Sequence, residues 1–318
     1  MNNMLNVSSN PHVRDKNTTS SIMLDVLIAL IPATIFGIYN AGENALYTTA
    51  LILATVTSAV VCEYIFQKAM KQKVTVRDFS ATVTGLLLAL NLPSNFPIWM
   101  AVIGSAFAII VVKQLFGGLG QNFMNPALAA RCFLFLSFTG YMSSFVPDGV
   151  TGATPLETLS KTGSVPNLLH MFIGNTYGTI GETSVIAILI GAVYLLVKKV
   201  IDFRIPLAYL LSFSVFILIL GDKPFDVTYL AAHLMGGGLM LGAFFMATDY
   251  VTSPITPIGR IVFGILLGIL TGIFREFSSM NEGVSFAIIF CNLLVPQIEK
   301  LTRPRPFGAI HMKKKEGK

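Results

Sequence analysis

Charge is what this 318-residue chain has least of: Asp, Glu, Lys and Arg make up 12% of it, against 53% hydrophobic residues. Soluble domains carry about 25% charged residues, so a water-soluble globular enzyme is excluded and an integral membrane protein is indicated. Cysteine is scarce too. Cys62, Cys132 and Cys291 stand alone in apolar sequence with no Cys-x-x-Cys pair, so this chain is not expected to hold an iron–sulfur cluster or zinc by itself. They read as small buried apolar residues. His170 and His233 lack ligand spacing, and no metal site is expected. No Gly-x-Gly-x-x-Gly follows a strand, so no dinucleotide site is expected either. A basic-apolar-small signal peptide is also missing: residues 1 to 21 are polar and the first apolar run begins at Ile22. That run is expected to stay in the protein as a helix.

What the chain does have is apolar sequence in long blocks. A hydrocarbon core takes ~20 apolar residues per helix. Helical spans are predicted at 22–40, 45–67, 79–92, 97–115, 125–141, 184–200, 204–220, 227–247, 257–274 and 284–300. The predicted fold is therefore all-α, a polytopic membrane protein of about ten transmembrane helices. Two spans look short or broken, the third at Asn91-Leu92-Pro93 and the eighth at Gly236-Gly237-Gly238 and again at Asp249 and Pro254. All but three of the 22 lysines and arginines fall on one side of this arrangement, the exceptions being Lys161, Lys223 and Arg275. The positive-inside rule then puts both termini in the cytoplasm and residues 142–183 on the outer face of the cell membrane.

Five spans on each side of that segment suggest a duplication, and an odd number per copy makes the two copies inverted. The expected organisation is a cytoplasmic segment 1–21, a first five-helix repeat 22–141, an outer loop 142–183, a second repeat 184–300 and a basic tail 301–318. The repeat brings the end of span eight to the start of span five, giving an inner mouth with Asn122, Asn125, Thr248, Asp249 and Thr252. It also brings the end of span three to the start of span ten. The outer mouth so formed has Asn91, Asn95, Asn281, Glu282 and Ser285, with Arg275 close by. Irregular backbone and amides at membrane depth are tolerated where they line a cavity.

Chemistry is most readily attached at Asp148-Gly149-Val150-Thr151-Gly152-Ala153-Thr154-Pro155-Leu156 in the outer segment. Small neighbours leave the Thr154 hydroxyl approachable, and Pro147, Asp148 and Pro155 suggest a fixed turn. Taken alone, apart from its location and any family resemblance, Thr154 reads as an ordinary turn threonine. Asn122 and Asn125 offer both donors and acceptors, and also suit the capping of span five.

These stretches carry a resemblance. Thr151-Gly152-Ala153-Thr154, the run Gly117-Gly118-Leu119-Gly120-Gln121-Asn122-Phe123-Met124-Asn125-Pro126-Ala127, Glu282-Gly283-Val284-Ser285-Phe286-Ala287 and the opening Ser9-Asn10-Pro11-His12-Val13-Arg14 are similar to the RnfD family, relatives of NqrB. The resemblance covers nearly the whole chain. It implies a subunit of a membrane complex that couples ferredoxin:NAD⁺ electron exchange to Na⁺ or H⁺ movement. It implies FMN joined through its phosphate to Thr154 by a separate flavin transferase, and a non-covalent riboflavin near the inner face at Asn122 and Asn125. Electrons would pass from a partner subunit with its own FMN on the outer face, through this chain, to a cytoplasmic NAD-reducing subunit.

Further roles are weighed beside these. Asp249 could contact the ribityl hydroxyls, and with Glu282 it is a candidate for ion coupling. Arg275 and Lys223 could hold the FMN phosphate or a partner, or be solvated loop charges. Asp25 and Glu63 could simply pair with polar neighbours. Lys313-Lys314-Lys315 reads as an anchor to anionic lipid; nucleic acid is not an expected partner. The alternatives are an NqrB-type quinone-reducing subunit, disfavoured by the short polar segment before the first span, and a non-redox inverted-repeat transporter.

Overall fold

The computed structural model describes residues 18–145, 154–278 and 283–304, and these are helical with no strand among them. The opening Ser9–Arg14 stretch, residues 148–153, Asn281, Glu282 and the lysine run near the end lie outside the described residues. Fourteen α-helices occur among the described residues. Apart from two short helices within 154–183, they coincide closely with the ten predicted segments, because apolar runs bounded by Asn, Thr, Ser, Gly and Pro define both.

The long helices are α1 (Thr19–Asn40), α2 (Ala45–Ala69), α13 (Pro257–Phe277) and α14 (Val284–Thr302). These four are long and apolar enough to cross a membrane, α2 together with the short turn before it. A bent pair, α11 (Val227–Met235) with α12 (Leu239–Leu241) and the π-helical turn Gly242–Met246, meets at 64° around Gly236-Gly237-Gly238 and is apolar enough to be a broken span or a re-entrant loop. Shorter apolar helices complete the bundle: α3 (Ser80–Leu90), α4 (Ile98–Ala106) running on as a π-helix Phe107–Gln114, α5 (Pro126–Ser137), α9 (Val185–Val197) and α10 (Arg204–Leu220). The small helices are α6 (Thr139–Met142), α7 (Pro155–Thr162) and α8 (Leu168–Ile173). Residues 154–183, expected as loop, thus include two helices.

Three helices begin alike. Asn125, Thr154 and Thr256 cap α5, α7 and α13 with their side-chain oxygens, and each is followed by proline. Proline at the first helical position gives up an N–H that would be unpaired anyway.

Without a hydrophobic drive between helices in lipid, close backbone approach through small residues supplies the packing. Gly264, Gly268 and Gly272 of α13 face Ala208, Phe213 and Phe216 of α10 in ascending order, so the two helices run parallel with both N-termini at one end. Gly85 of α3 lies against Val56 of α2, and Gly104 of α4 against Leu134 of α5. Helix α1 packs on α9, α2 on α4, and α5 on α14. The outward faces carry Leu53, Val197, Leu211, Ile258 and other exposed apolar residues, as expected of a surface facing lipid.

Candidate functional site

Two pockets lie at opposite ends of the bundle. The first is walled by Met23 and Val26 of α1, Leu195 of α9 and Phe244 and Phe245 of the π-turn. Its polar rim is Ser80, Lys113, Asn122, Asn125, Thr248 and Asp249. Four of the five residues expected at the inner mouth are therefore brought together. The fifth, Thr252, stands behind Asp249 and donates to its Oδ2 at 3.1 Å.

Each member is positioned by local chemistry. Asn125 caps α5, its Oδ1 accepting from the N–H groups of Ala127 (3.0 Å) and Leu128 (3.3 Å), and its Nδ2 donates to the Met246 carbonyl at 3.4 Å. That last bond joins the start of α5 to the end of the π-turn. Asn122 Nδ2 donates to the Met124 carbonyl at 3.1 Å. Capping and pocket-lining coexist, and Asn125 is largely spent on capping. Partly buried Asp249 lies in the connection after the π-turn, where burial pushes its carboxyl above the ordinary value. Bonds from Thr252 and Val251 and the charge of Lys113 oppose the shift.

Lys113 was missed as a site residue and placed instead among cytoplasmic charges. It is buried, 2.8 Å from Glu63 Oε1 and donating to Ser80 Oγ at 2.6 Å. Gln114 Nε2 donates to the same Glu63 oxygen at 2.7 Å. A π-turn inserts an extra residue and rotates the side chains after it, which is how Lys113 and Gln114 come to face inward. Glu63, read as pairing with a polar neighbour, does so. An ionisable residue inside the apolar run Ile109–Leu115 was the signal available.

The second pocket lies beside Thr154, walled by Leu156, Met171, Tyr177, Glu182, Gly236 and Gly237. It adjoins a polar cleft of ≈ 550 Å³ shared with Pro155, Thr176 and Tyr177 and reaching Gly37 and Asn40 of α1. Thr154 is partly buried, and its Oγ1 accepts from the Glu157 N–H at 3.2 Å. Its role as helix cap is thus real, and its hydroxyl lies at the first turn of α7.

The outer mouth differs in make-up from the expectation. Asn91 is buried and donates to the Leu87 carbonyl at 2.6 Å, and Ser285 accepts from Arg131 at 2.6 Å. The start of α14 lies against Gly242 and Arg131. What meets the end of α3 is the connection 179–182: the N–H groups of Ile180 and Gly181 donate to the carbonyls of Leu92 (3.0 Å) and Leu90 (2.7 Å). Glu282 lies outside the described residues. Arg275 is not a loop charge. It is buried in α13 and donates to the carbonyls of His233, Gly236 (2.8 Å) and Gly237 (3.0 Å), satisfying the backbone freed by the break. Arg131, counted as a cytoplasmic charge, is buried 3.4 Å from Glu182. Sequence reasoning overlooked Glu182, although a carboxylate just ahead of the apolar run 184–200 is a comparable signal.

The same helices carry both pockets. On α1, Val26 lines one and Gly37 the cleft of the other. At 1.5 Å per residue they are about 16 Å apart along the axis. From Thr183, at the head of α9, to Leu195 the separation is about 18 Å.

The family model described as NQR2, RnfD, RnfE matches residues 6–308. The chain belongs to that family. It is 48% identical to the D subunit of the Na⁺-translocating ferredoxin:NAD⁺ oxidoreductase complex of Acetobacterium woodii, over 98% of this chain and 97% of the relative. It is 39% identical to the D subunit of the proton-translocating ferredoxin:NAD⁺ oxidoreductase complex of Clostridium ljungdahlii, over 96% and 97%. To the D subunit of the ion-translocating oxidoreductase complex of Salmonella paratyphi B it is 35% identical, over 95% and 98%. Each of these relatives is named as a subunit of an ion-translocating complex, and the long apolar helices described above are those of a multi-pass membrane protein.

Proposed function

We propose that the chain works as the D subunit of an ion-translocating ferredoxin:NAD⁺ oxidoreductase, moving reducing equivalents across the bilayer between a covalent FMN at Thr154 and a riboflavin in the pocket of Asn122, Asn125 and Asp249. The observation that carries this reading is the pair of polar pockets at opposite ends of α1 and α9, one with the approachable hydroxyl and the other with the convergent amides.

The residues fit the groups. The pocket of Asn122 has an apolar wall and a polar rim, matching a ring system apolar at one end and rich in carbonyls and nitrogens at the other. Its cavity of ≈ 70 Å³ holds a few waters, so a three-ring group requires the lining side chains to open. At Thr154, a phosphate on Oγ1 stands where the N–H groups of Leu156 and Glu157 and the positive end of α7 favour an anion. The flavins supply one- and two-electron redox chemistry; the chain places them and sets their surroundings.

Packing supports the inverted repeat. The pair α2–α4 of the first copy corresponds to α10–α13 of the second, and α1–α9 and α5–α14 each join equivalent helices of the two copies. The shorter helices then serve as the remaining spans of ten. With buried Lys113, Arg131 and Arg275 set aside, the remaining bases still lie on one side except Lys161 and Lys223, which supports cytoplasmic termini and an outward Thr154. Partners on this reading are an outer FMN-bearing subunit, a cytoplasmic NAD-reducing subunit and a flavin transferase.

Mass spectrometry of the Thr154 peptide from the purified complex tests the proposal, with ultraviolet fluorescence of the denatured band. A flavin-phosphate adduct on Thr154 and a band lost in Thr154→Val are expected. An unmodified peptide from cells that possess the transferase would refute the reading and leave a non-redox transporter as the better one.

A further inference from the structure

We infer that the parallel pair α10–α13 carries a binding site for a phospholipid with an anionic headgroup, its phosphate held by Lys199, Arg204 and Arg260 and one acyl chain lying along the groove between the helices. This stands apart from the flavin reading.

The headgroup end is a cleft of ≈ 420 Å³ walled by Lys199, Asp202, Tyr250, Ser253 and Arg260. Two arginines meet one carboxylate there, Arg204 from just outside the cleft, and a third cation, Lys199, lines the same cleft. Arg260 Nη1 lies 2.6 Å from Asp202 Oδ2 and Arg204 Nη1 lies 3.4 Å from it, while Lys199 is exposed and has no ion pair among the described residues. The two arginines hold the Asp202 carboxyl below its ordinary value against the opposing effect of burial. Because α10 and α13 are parallel, both present their positive ends here. The cluster therefore keeps an unbalanced positive charge that complements a phosphate.

The groove starts at this cleft. Phe203 belongs to both, and the groove of ≈ 810 Å³ continues past Leu207, Leu211, Val215 and Ile219 of α10, faced by Ile265 of α13. Over the 17 residues of α10 it runs about 25 Å, ample for an acyl chain from one leaflet of a ~30 Å hydrocarbon core. A partner helix suits it less well. Helices associate in membranes through small residues, and the glycine stripe of α13 is already occupied by α10. The groove offers branched side chains instead.

The test uses the whole complex, purified in mild detergent, delipidated, and incubated with phosphatidylglycerol or phosphatidylcholine before native mass spectrometry. Phosphatidylglycerol is expected to remain bound preferentially. In Lys199→Gln/Arg204→Gln its retention should fall about thirtyfold, at roughly a kcal/mol per surface cation. Val215→Trp fills the groove, keeps every charge and should expel the same lipid. A photo-crosslinker at Val215 in the otherwise unaltered complex should label lipid, which decides the matter even if a variant assembles poorly. Equal retention of the two lipids, unchanged retention in both variants, or a crosslink to another subunit would overturn the inference.

Discussion

Removing the carboxylate from the Glu63–Lys113 pair should harm the protein more than removing both charges. Glu63 and Lys113 have side-chain exposures of 1% and 2% and lie 2.8 Å apart. In Glu63→Gln, Lys113 keeps the Ser80 hydroxyl, an amide oxygen and the more distant charge of Asp249, at a depth where water does not compensate. Breaking one side of a buried pair costs about 3–5 kcal/mol, whereas replacing both partners by groups of similar volume is often close to neutral. Glu63→Gln should therefore lower the unfolding midpoint by several degrees, and Glu63→Gln/Lys113→Met should recover most of the loss. Thermal unfolding of the detergent-solubilised complex, followed by the loss of monodisperse protein on size exclusion, measures both. The coupling term of the cycle should be at least ~2 kcal/mol. A double variant as unstable as the sum of the singles would refute the reasoning, because it would mean that the two side chains stabilise the fold independently.

Other outcomes follow from the same geometry. Thr154→Asn keeps a capping side chain without a hydroxyl, so it should abolish flavin fluorescence while leaving stability within a few tenths of a kcal/mol; Thr154→Val should lose the fluorescence and about 1 kcal/mol as well, as read by the band and by thermal unfolding. Gly268→Ala should destabilise by about 1–3 kcal/mol, since the added carbon would meet the Phe213 nitrogen at 2.6 Å and the Tyr209 oxygen at 2.7 Å; Gly140→Ala, with open space around it, should not. Arg275→Met should unfasten the break between α11 and α12, exposing 230–241 to hydrogen exchange, because three carbonyls lose their donors. Asp249 has a raised folded value, so its contribution to stability is complete at acid pH and is lost as pH rises through that value. Asp249→Asn should raise the unfolding midpoint at neutral pH and flatten its dependence on pH.

The helices were legible because their ends are written chemically. Asn125-Pro126 and Thr256-Pro257 announce two starts, and the triple glycine at 236–238 announces the break. Residues 154–183 were harder. Helix α7 is only eight residues long and polar on one face, so no apolar run betrays it. The backbone pairing of 180–181 with Leu90 and Leu92 depends on chain segments far apart in sequence. The meeting of the end of the eighth predicted span with the start of the fifth, at the pocket of Asn122 and Asp249, was legible because it needed only the relative height of two helix ends.

Charge was misread for the opposite reason. A count of lysines and arginines treats each as belonging to a loop, but height in the membrane does not distinguish a solvated cation from a buried one. Lys113, Arg131 and Arg275 sit inside the bundle because each has an exacting partner: Glu63, Glu182 with Ser285, and the three carbonyls at the glycine break. A carboxylate or an unwound turn elsewhere in the chain is the sequence trace of such a partner, and Glu63, Glu182 and Gly236–Gly238 were all visible. Pairing every intramembrane cation with an intramembrane acceptor before counting would have moved these three out of the tally. The same step would have marked Lys113 as a residue of the pocket that also holds Asn122 and Asp249. A cation there lies where reduction adds negative charge, so Lys113→Met in the Glu63→Gln background should lower the midpoint potential of a flavin bound in that pocket. Redox titration that finds this potential unchanged would refute the proposal that a flavin occupies that pocket.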